Sequence, residues 1–394
     1  MRTASINATA APLETYKPKL ESSLRYALVS DWLAVYGGAE QVFGEICKLL
    51  PGTVYSSQCN QSIYPWLANR EIRTSVVQHL PYALTRHYVY APLMPSVYRT
   101  FDFSAADVLV VTSHSFAHHC IMRPGAPYLC YYHTPARSLW NPEIDDRASH
   151  GHLAWARKLL APRMKRLDLA ASRHPTYIVA NSKTTAGRIR THYGRQVDEV
   201  IYPPVDTRMW SSIDRKSDDA GFVMWGRQVA YKRTDLAIEA VRVTGDPLHV
   251  VGTGPMIPIL KNQAAGMKNV HFHGRLSDEH LTDLVAQARA VLFPGYEDFG
   301  IVPVEAMAAG LPVIAYGVGG AAETIGDLGV QFQTQTTEDL VEAIGRLRFL
   351  KVEPSSLRAR ASAYDVSVFR SRFLRALGAC IDRGGIREEF VQPA

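Results

Sequence analysis

A chain of 394 residues, 47% hydrophobic and 20% charged, is too long for one compact core and too apolar for disorder. Its net charge of +6, from 43 basic and 37 acidic residues, suits an anionic substrate or a lipid surface without demanding either, and no nucleic-acid partner is expected. The five cysteines (Cys47, Cys59, Cys120, Cys130, Cys380) form no C-x-x-C pair, which excludes the usual zinc and redox spacings and reads as reduced, buried thiols of a cytosolic protein.

The first 23 residues are polar and read as a flexible arm, neither a secretory signal nor a spanning helix. Elsewhere the longest apolar runs fall far short of the ~20 residues that cross a bilayer, so a protein not integral to a membrane is expected. Tyr26 to Asp31 reads as a buried strand, followed by a Gly37-Gly38 turn and a helical pattern through Val42, Ile46 and Leu49. Short apolar runs at Val108 to Thr112, Tyr128 to Tyr132 and Tyr177 to Ala180 alternate with helical segments, the pattern of a parallel sheet covered on both faces. Pro203-Pro204 and a polar stretch to Asp219 interrupt the pattern. It restarts with strands at Phe222 to Trp225, His249 to Val251, Val270 to His273, Ala290 to Phe293 and Pro312 to Ala315. Helical patterns from Thr337 to Phe349 and Val366 to Ile381 close the chain. The expected organisation is α/β with two Rossmann-like, doubly wound domains, 24–205 and 221–363, joined by a linker at 206–220 and followed by a closing helix and tail at 364–394.

The strongest chemical signal is Gly295-Tyr-Glu297-Asp-Phe-Gly-Ile-Val-Pro-Val-Glu305-Ala-Met-Ala-Ala-Gly310, which follows a predicted strand and opens a helix. Pro303 suits the first helical turn and Gly310 the exit. Phe299, Gly300, Ile301 and Val302 then lie at a helix N-terminus, whose unpaired amides and positive dipole end suit a diphosphate. A second cluster, Gly226-Arg227-Gln-Val-Ala-Tyr-Lys232-Arg233, places cations at the carboxyl end of a strand, the ligand edge of an open α/β sheet. There Arg227 can bind phosphate through two parallel hydrogen bonds and Lys232 as a point charge.

Two glutamates eight positions apart are by themselves solvated helix surface, and Arg227 or Lys232 alone is ordinary surface charge. Taken together they point to one anion-binding crevice. A glycosidase would also need two carboxylates, but not phosphate cations beside a helix start. Gly252-Thr-Gly254-Pro255 resembles a truncated dinucleotide fingerprint without its third glycine, which disfavours a dehydrogenase. It suits a turn facing the nucleoside, with Arg275 bordering the base.

These residues resemble the retaining glycosyltransferases of family 4, whose two-domain architecture is called GT-B, with the two Rossmann-like domains facing a cleft. The resemblance runs from Gly37-Gly38 to the glutamate pair. It implies that Glu297 contacts the transferred sugar, Glu305 the nucleotide ribose, and Arg227 and Lys232 the diphosphate. It also implies that His133 touches the sugar near its C6 hydroxyl, although residue type alone reads as a satisfied, half-buried histidine. The remaining donor-binding residues expected are Gly38, Ser182, Gly226, Gly252, Gly254 and Arg275, with Ser182 read alternatively as only a helix cap. The segments Cys130-Tyr-Tyr-His133-Thr-Pro-Ala-Arg137, Ala180-Asn-Ser182-Lys183 and Val200-Ile-Tyr-Pro-Pro-Val-Asp206 resemble bacterial mannosyltransferases of O-antigen or exopolysaccharide assembly. That subgroup implies GDP-mannose as donor and a polyprenyl-diphosphate-linked oligosaccharide as acceptor, and no metal or other cofactor is expected, since no Asp-x-Asp pair or His and carboxylate cluster offers to hold a divalent ion beside the diphosphate. The chain departs from it after His133, where Ala136 replaces a bulkier Met, Ser138-Leu139 replaces Tyr-Ala, and Asn141 replaces aspartate. UDP-glucose or another nucleotide sugar is the alternative donor, and a non-catalytic sugar-binding protein the alternative of another class.

Two further expectations concern surfaces. His114, His118 and His119 read as loop or surface histidines, with no carboxylate or cysteine to complete a metal set. From Ile72 to Phe101 there is no acidic residue, while Arg73, Arg86 and Arg99 are interleaved with Tyr82, Tyr88, Tyr90, Tyr98 and Phe101. Trp155 to Arg166 adds Arg157, Lys158, Arg163, Lys165 and Arg166 among Leu159, Leu160 and Met164. Both suit docking on an anionic membrane surface, and imply a cytoplasmic protein peripheral at the inner face of the plasma membrane. Core aromatics beside a polar helix face are the equal alternative.

Overall fold

The computed structural model describes residues 24–85, 87–142, 154–216 and 220–384. Among the described residues, thirteen strands form two parallel sheets. The first contains β1 (Tyr26–Ser30), β2 (Thr53–Ser56), β3 (Ile72–Thr74), β4 (Val108–Ser113), β5 (Tyr128–Tyr132), β6 (Tyr177–Ala180) and β7 (Glu199–Val200), in the order β3-β2-β1-β4-β5-β6-β7. The second contains β8 (Phe222–Trp225), β9 (Leu248–Val251), β10 (Val270–Gly274), β11 (Ala290–Phe293), β12 (Val313–Tyr316) and β13 (Val330–Phe332), in the order β10-β9-β8-β11-β12-β13. Both orders reverse direction once, between β1 and β4 and between β8 and β11, which is the doubly wound, Rossmann-like pattern. Apolar runs four or five residues long become strands because helices cover both faces of each sheet.

By contacts the chain divides into a first unit of residues 1–131, 167–179 and 367–394, and a second of 132–166 and 180–366. The final helix, Val366–Arg383, falls almost wholly in the first unit.

In the second sheet, alternate residues of the central strands serve two separate cores. Val223, Trp225, Val251, Val291, Phe293 and Val313 pack on one face, with helices Ile301–Ala308 and Pro354–Ser362. Phe222, Met224, Leu248, Val250, Leu292 and Ile314 pack on the other, with helices Thr234–Thr244 and Thr337–Arg346. With both faces buried, the central strands β8, β11 and β12 carry no charged or amide side chain, whereas β9, β10 and β13 carry His249, His271, His273 and Gln331. Each buried Val, Leu or Ile contributes roughly 1.5–3 kcal/mol of transfer free energy, so the loops at the strand ends stand on a stiff base.

Within the first unit, the switch point is built around one carboxylate. Asp31, just past β1, is fully buried and accepts the backbone N–H groups of His114 and Ser115 on one oxygen, at 2.7 and 2.9 Å, and of Phe116 and Ala117 on the other, both at 2.8 Å. The loop after β4 has no ladder of its own, and Asp31 supplies its acceptors.

His118 and His119 correct the reading from sequence. Both are buried, and both Nε2 atoms approach Oδ1 of the buried Asp168, at 3.1 and 3.0 Å. Burial, its largest influence, would raise the Asp168 carboxyl, but the two imidazoles outweigh it and hold the group well below the usual range. A carboxylate therefore does complete a three-residue group, supplied some 50 positions away, where sequence spacing carries no signal.

Candidate functional site

Most of the donor signals fall in the second unit, on loops at the carboxyl ends of β8, β9, β10 and β11, with Gly38 in the first unit and Ser182 after β6 as exceptions, and the two richest flank the switch point between β8 and β11. After β8, Gly226 takes a left-handed φ of +118°, and its Cα hydrogen faces the Lys232 ammonium. Gln228 then stitches this loop to its neighbour: its amide donates to the carbonyls of Gly226 and Val251, both at 3.1 Å, and accepts from Thr234 Oγ1 at 2.8 Å. Three glycines let backbones touch. A Cβ on Gly252 (φ +114°) would run into the Gly226 carbonyl, one on Gly254 into that of Gln228, and one on Gly295 into that of Tyr231.

Lys232 closes the short turn Ala230–Lys232, and its Nζ pairs with the Glu297 carboxylate. Each side chain is only 16% exposed, and Nζ also lies 5.3 Å from the centre of the Phe293 ring. Burial is the largest influence on Lys232 and acts downward, but Glu297, Tyr231 and Glu305 outweigh it, and the ammonium titrates above its ordinary value. Arg227 is exposed and has no ion-pair partner among the described residues. The loop thus offers Lys232, held by an internal carboxylate, Arg233, paired with Asp235, and Arg227, directed to solvent.

Helix Ile301–Ala308 begins where the sequence places it, with Gly300 as N-cap at φ +86° and Gly310 beyond its end at φ +74°. Ile301 and Val302 are its first residues and Pro303 brings no amide, so the unpaired N–H groups of this end sit beside Phe299 and Gly300. Phe299 is buried and stacks on Tyr202 at 5.8 Å. Glu305 accepts the indole N–H of Trp225 on Oε2 at 2.7 Å. Burial, above all, pushes its carboxyl up to about 7, against the opposing pull of Trp225 and Lys232.

The neighbour of Glu297 was not singled out from sequence. Asp298, 5% exposed, is held by both Arg137 and Arg188. Arg188 also donates to Thr134 Oγ1 at 3.1 Å and to the Tyr296 hydroxyl at 2.6 Å, and Arg137 lies 5.4 Å from the centre of the Tyr231 ring. Partners more than 100 positions apart leave no spacing to read; the adjacency of an aspartate to a candidate glutamate was the one available hint.

The other expected residues are placed as follows. His133 follows β5 at 7% exposure, and its carbonyl accepts from Thr185 Oγ1 at 3.1 Å. Ser182 is the N-cap of helix Lys183–Tyr193, accepting the Thr185 N–H at 3.0 Å, so its hydroxyl serves as a cap. Arg275 is exposed beside Gly274 at the end of β10. Gly38 opens helix Gly38–Leu49 in the first unit and is exposed.

Residues 36–209 match the family described as Glycosyltransferase Family 4, and residues 219–348 the one described as Glycosyl transferases group 1. Each part of the chain thus resembles a glycosyltransferase domain, and the two parallel, Rossmann-like sheets are the fold of the GT-B type. Among individual relatives, the D-rhamnosyltransferase WbpZ of Pseudomonas aeruginosa is 31% identical over 174 residues, 41% of this chain and 45% of that protein. A D-inositol 3-phosphate glycosyltransferase of Mycobacteroides abscessus is 30% identical over 171 residues, 38% of each chain. The alignments span less than half the length of these curated relatives. The crystal structure of Anabaena HepE in complex with UDP-glucose is similar in fold, with a TM-score of 0.66 at 19% identity over 90% of this chain and 99% of that one.

Proposed function

We propose that this protein transfers a hexose, mannose from GDP-mannose, to a hydroxyl of a polyprenyl-diphosphate-linked oligosaccharide, with retention at the anomeric carbon. The observation that carries the proposal is the meeting of Lys232, Glu297 and the N-terminus of helix Ile301–Ala308 at the switch point of the second sheet. A nucleoside diphosphate there would set its phosphates against Arg227, Lys232 and the helix amides, its ribose diol on Glu305, and its sugar by Glu297.

Departure of the diphosphate leaves negative charge on the leaving oxygen, and the Lys232 ammonium, raised by its surroundings, stays charged to stabilise it. No side chain in the loops is placed as an obvious nucleophile. The acceptor hydroxyl then attacks the face the diphosphate leaves and gives up its proton to the departing phosphate, so catalysis consists of positioning and electrostatics. The subgroup motifs favour mannose, and the name of the D-rhamnosyltransferase relative points the same way, D-rhamnose being 6-deoxy-D-mannose. The second reading, UDP-glucose, is favoured by the ligand named for the HepE structure.

The test is incubation with GDP-mannose, UDP-glucose and other nucleotide sugars, measuring slow hydrolysis by release of the nucleoside diphosphate. Turnover of GDP-mannose above the rest is expected. Turnover of UDP-glucose alone would replace the donor, and no turnover of any, even with membrane-extracted acceptor, would leave a sugar-binding protein.

The membrane part of the proposal rests on an exposed apolar set in the first unit: Val76, Leu80, Tyr82, Val89 and Leu93. Its composition corrects the sequence reading. Tyr98 is fully buried, its hydroxyl donating to the Ser30 carbonyl at 3.2 Å, Phe101 packs against Tyr55 and Tyr98, and Met164 is buried. Arg99 is exposed, as are Leu159 and Leu160. Arg86 and the side chains of Tyr88, Trp155, Arg157 and Lys158 lie outside the described residues. No described helix is long and apolar enough to cross a membrane.

A further inference from the structure

We propose that Trp225 is a positioning residue for the donor: its indole N–H fixes one oxygen of Glu305 and leaves the other to the ribose diol. This rests on the glycosyltransferase reading given above. Trp225 is the last residue of β8, 8% exposed, and its ring stacks on that of Trp210, 3% exposed, with centroids 5.5 Å apart and planes 20° from parallel. Stacking fixes the indole, and the indole at 2.7 Å fixes Oε2. Glu305 sits one turn inside helix Ile301–Ala308, so its backbone is equally constrained. Among the described residues no hydrogen bond reaches Oε1, the oxygen that remains for two vicinal hydroxyls.

A carboxylate in this position accepts from a diol only when ionised. The groups acting on Glu305 are Lys232 and the Trp225 N–H, which favour ionisation, and Asp278 and burial, which oppose it, burial most strongly. With the carboxyl at about 7, nucleotide affinity is present above that pH and lost as pH falls through it. Trp225→Phe keeps an aromatic ring against Trp210 but removes a contact favouring the charged form, so the midpoint moves to higher pH.

The experiment is calorimetric titration of the full chain with GDP and with UDP across about pH 6 to 8.5, alongside steady-state kinetics. Trp225→Phe is expected to weaken binding of the preferred diphosphate about tenfold at neutral pH, the cost of one hydrogen bond to a charged group. Its midpoint should shift upward, and most of the kinetic loss should fall on the KM for the donor. Unchanged affinity and midpoint in Trp225→Phe would overturn the proposal. Glu305→Gln provides a second readout should Trp225→Phe fold poorly: its affinity should no longer vary with pH around neutrality, and a wild-type pH dependence in it would overturn the proposal as well. If the unaltered protein binds neither GDP nor UDP, the donor-site reading itself has failed, a result visible before any substitution.

Discussion

Lys232 and Glu297, 65 positions apart, are paired at the end of two neighbouring strands, so the cation expected to receive the diphosphate is held in place by the carboxylate expected beside the sugar. The pair pre-orients the ammonium without neutralising the site, because Arg227 and the helix amides remain available. Lys232→Ala should therefore lower sugar transfer by about a hundredfold or more. The substitution lies on a loop outside both cores, so the thermal unfolding midpoint should stay within a few degrees. Near-normal turnover in a folded variant would remove Lys232 from the leaving-group site.

Transfer should persist in a chelator. The loop after β8 carries Arg227 and Lys232, with Arg233 paired to Asp235 behind them, where metal-dependent enzymes bring a divalent ion to the diphosphate. The one three-residue His/Asp group among the described residues, His118, His119 and Asp168, lies in the first unit and on none of the donor loops. Initial rates in excess EDTA should match those with magnesium or manganese; loss in EDTA, restored by either ion, would show that protein cations do not suffice.

Asp298→Ala should destabilise the second unit. It strips Arg137 and Arg188 of their shared carboxylate and leaves a guanidinium 9% exposed without its counter-charge, a change that costs about 3 kcal/mol at buried pairs. Urea denaturation should show the loss, and combining Asp298→Ala with Arg188→Met should cost less than the sum of the two. Strict additivity would mean that the two residues do not depend on each other.

Sedimentation with liposomes should show binding that requires anionic lipid, weakens with salt, and drops when Arg86→Glu and Arg99→Glu are combined, each lost cation contributing roughly 1 kcal/mol near such a surface. Tyr82→Ser, at a position 69% exposed, should weaken it further. Equal binding to neutral vesicles, or none to either, would leave these residues as ordinary surface.

The sequence was most legible where a strand is a solid apolar run. Tyr128–Tyr132, Tyr177–Ala180, Phe222–Trp225 and Ala290–Phe293 are strands with the bounds read from sequence. It was silent at Thr53–Ser56, Ile72–Thr74, Glu199–Val200 and Val330–Phe332, which are short, partly exposed, mostly toward sheet edges, and set by pairing with a neighbour rather than by their own composition. The site divides in the same way. Glu297, Glu305, Lys232 and the helix start sit in two continuous motifs and could be found together. Asp31, Asp168, Asp298 and Trp225 act through partners far along the chain, and only folding brings those together.

The glycine contacts among Gly226, Gln228, Gly252, Gly254, Tyr231 and Gly295 have a bearing on how such a site can diversify. Three loops that rest main chain upon main chain behave as a single casting: thickening any one of them by a methyl group displaces the next, and the disturbance reaches Lys232 and Glu297. On the proposed donor site, change of donor preference would thereby be channelled to positions that project from the casting without being part of it, Thr253 and Arg275, both exposed. A lineage built on this floor would retune which nucleotide it accepts by exchanging those two side chains while the phosphate cradle stays as it is.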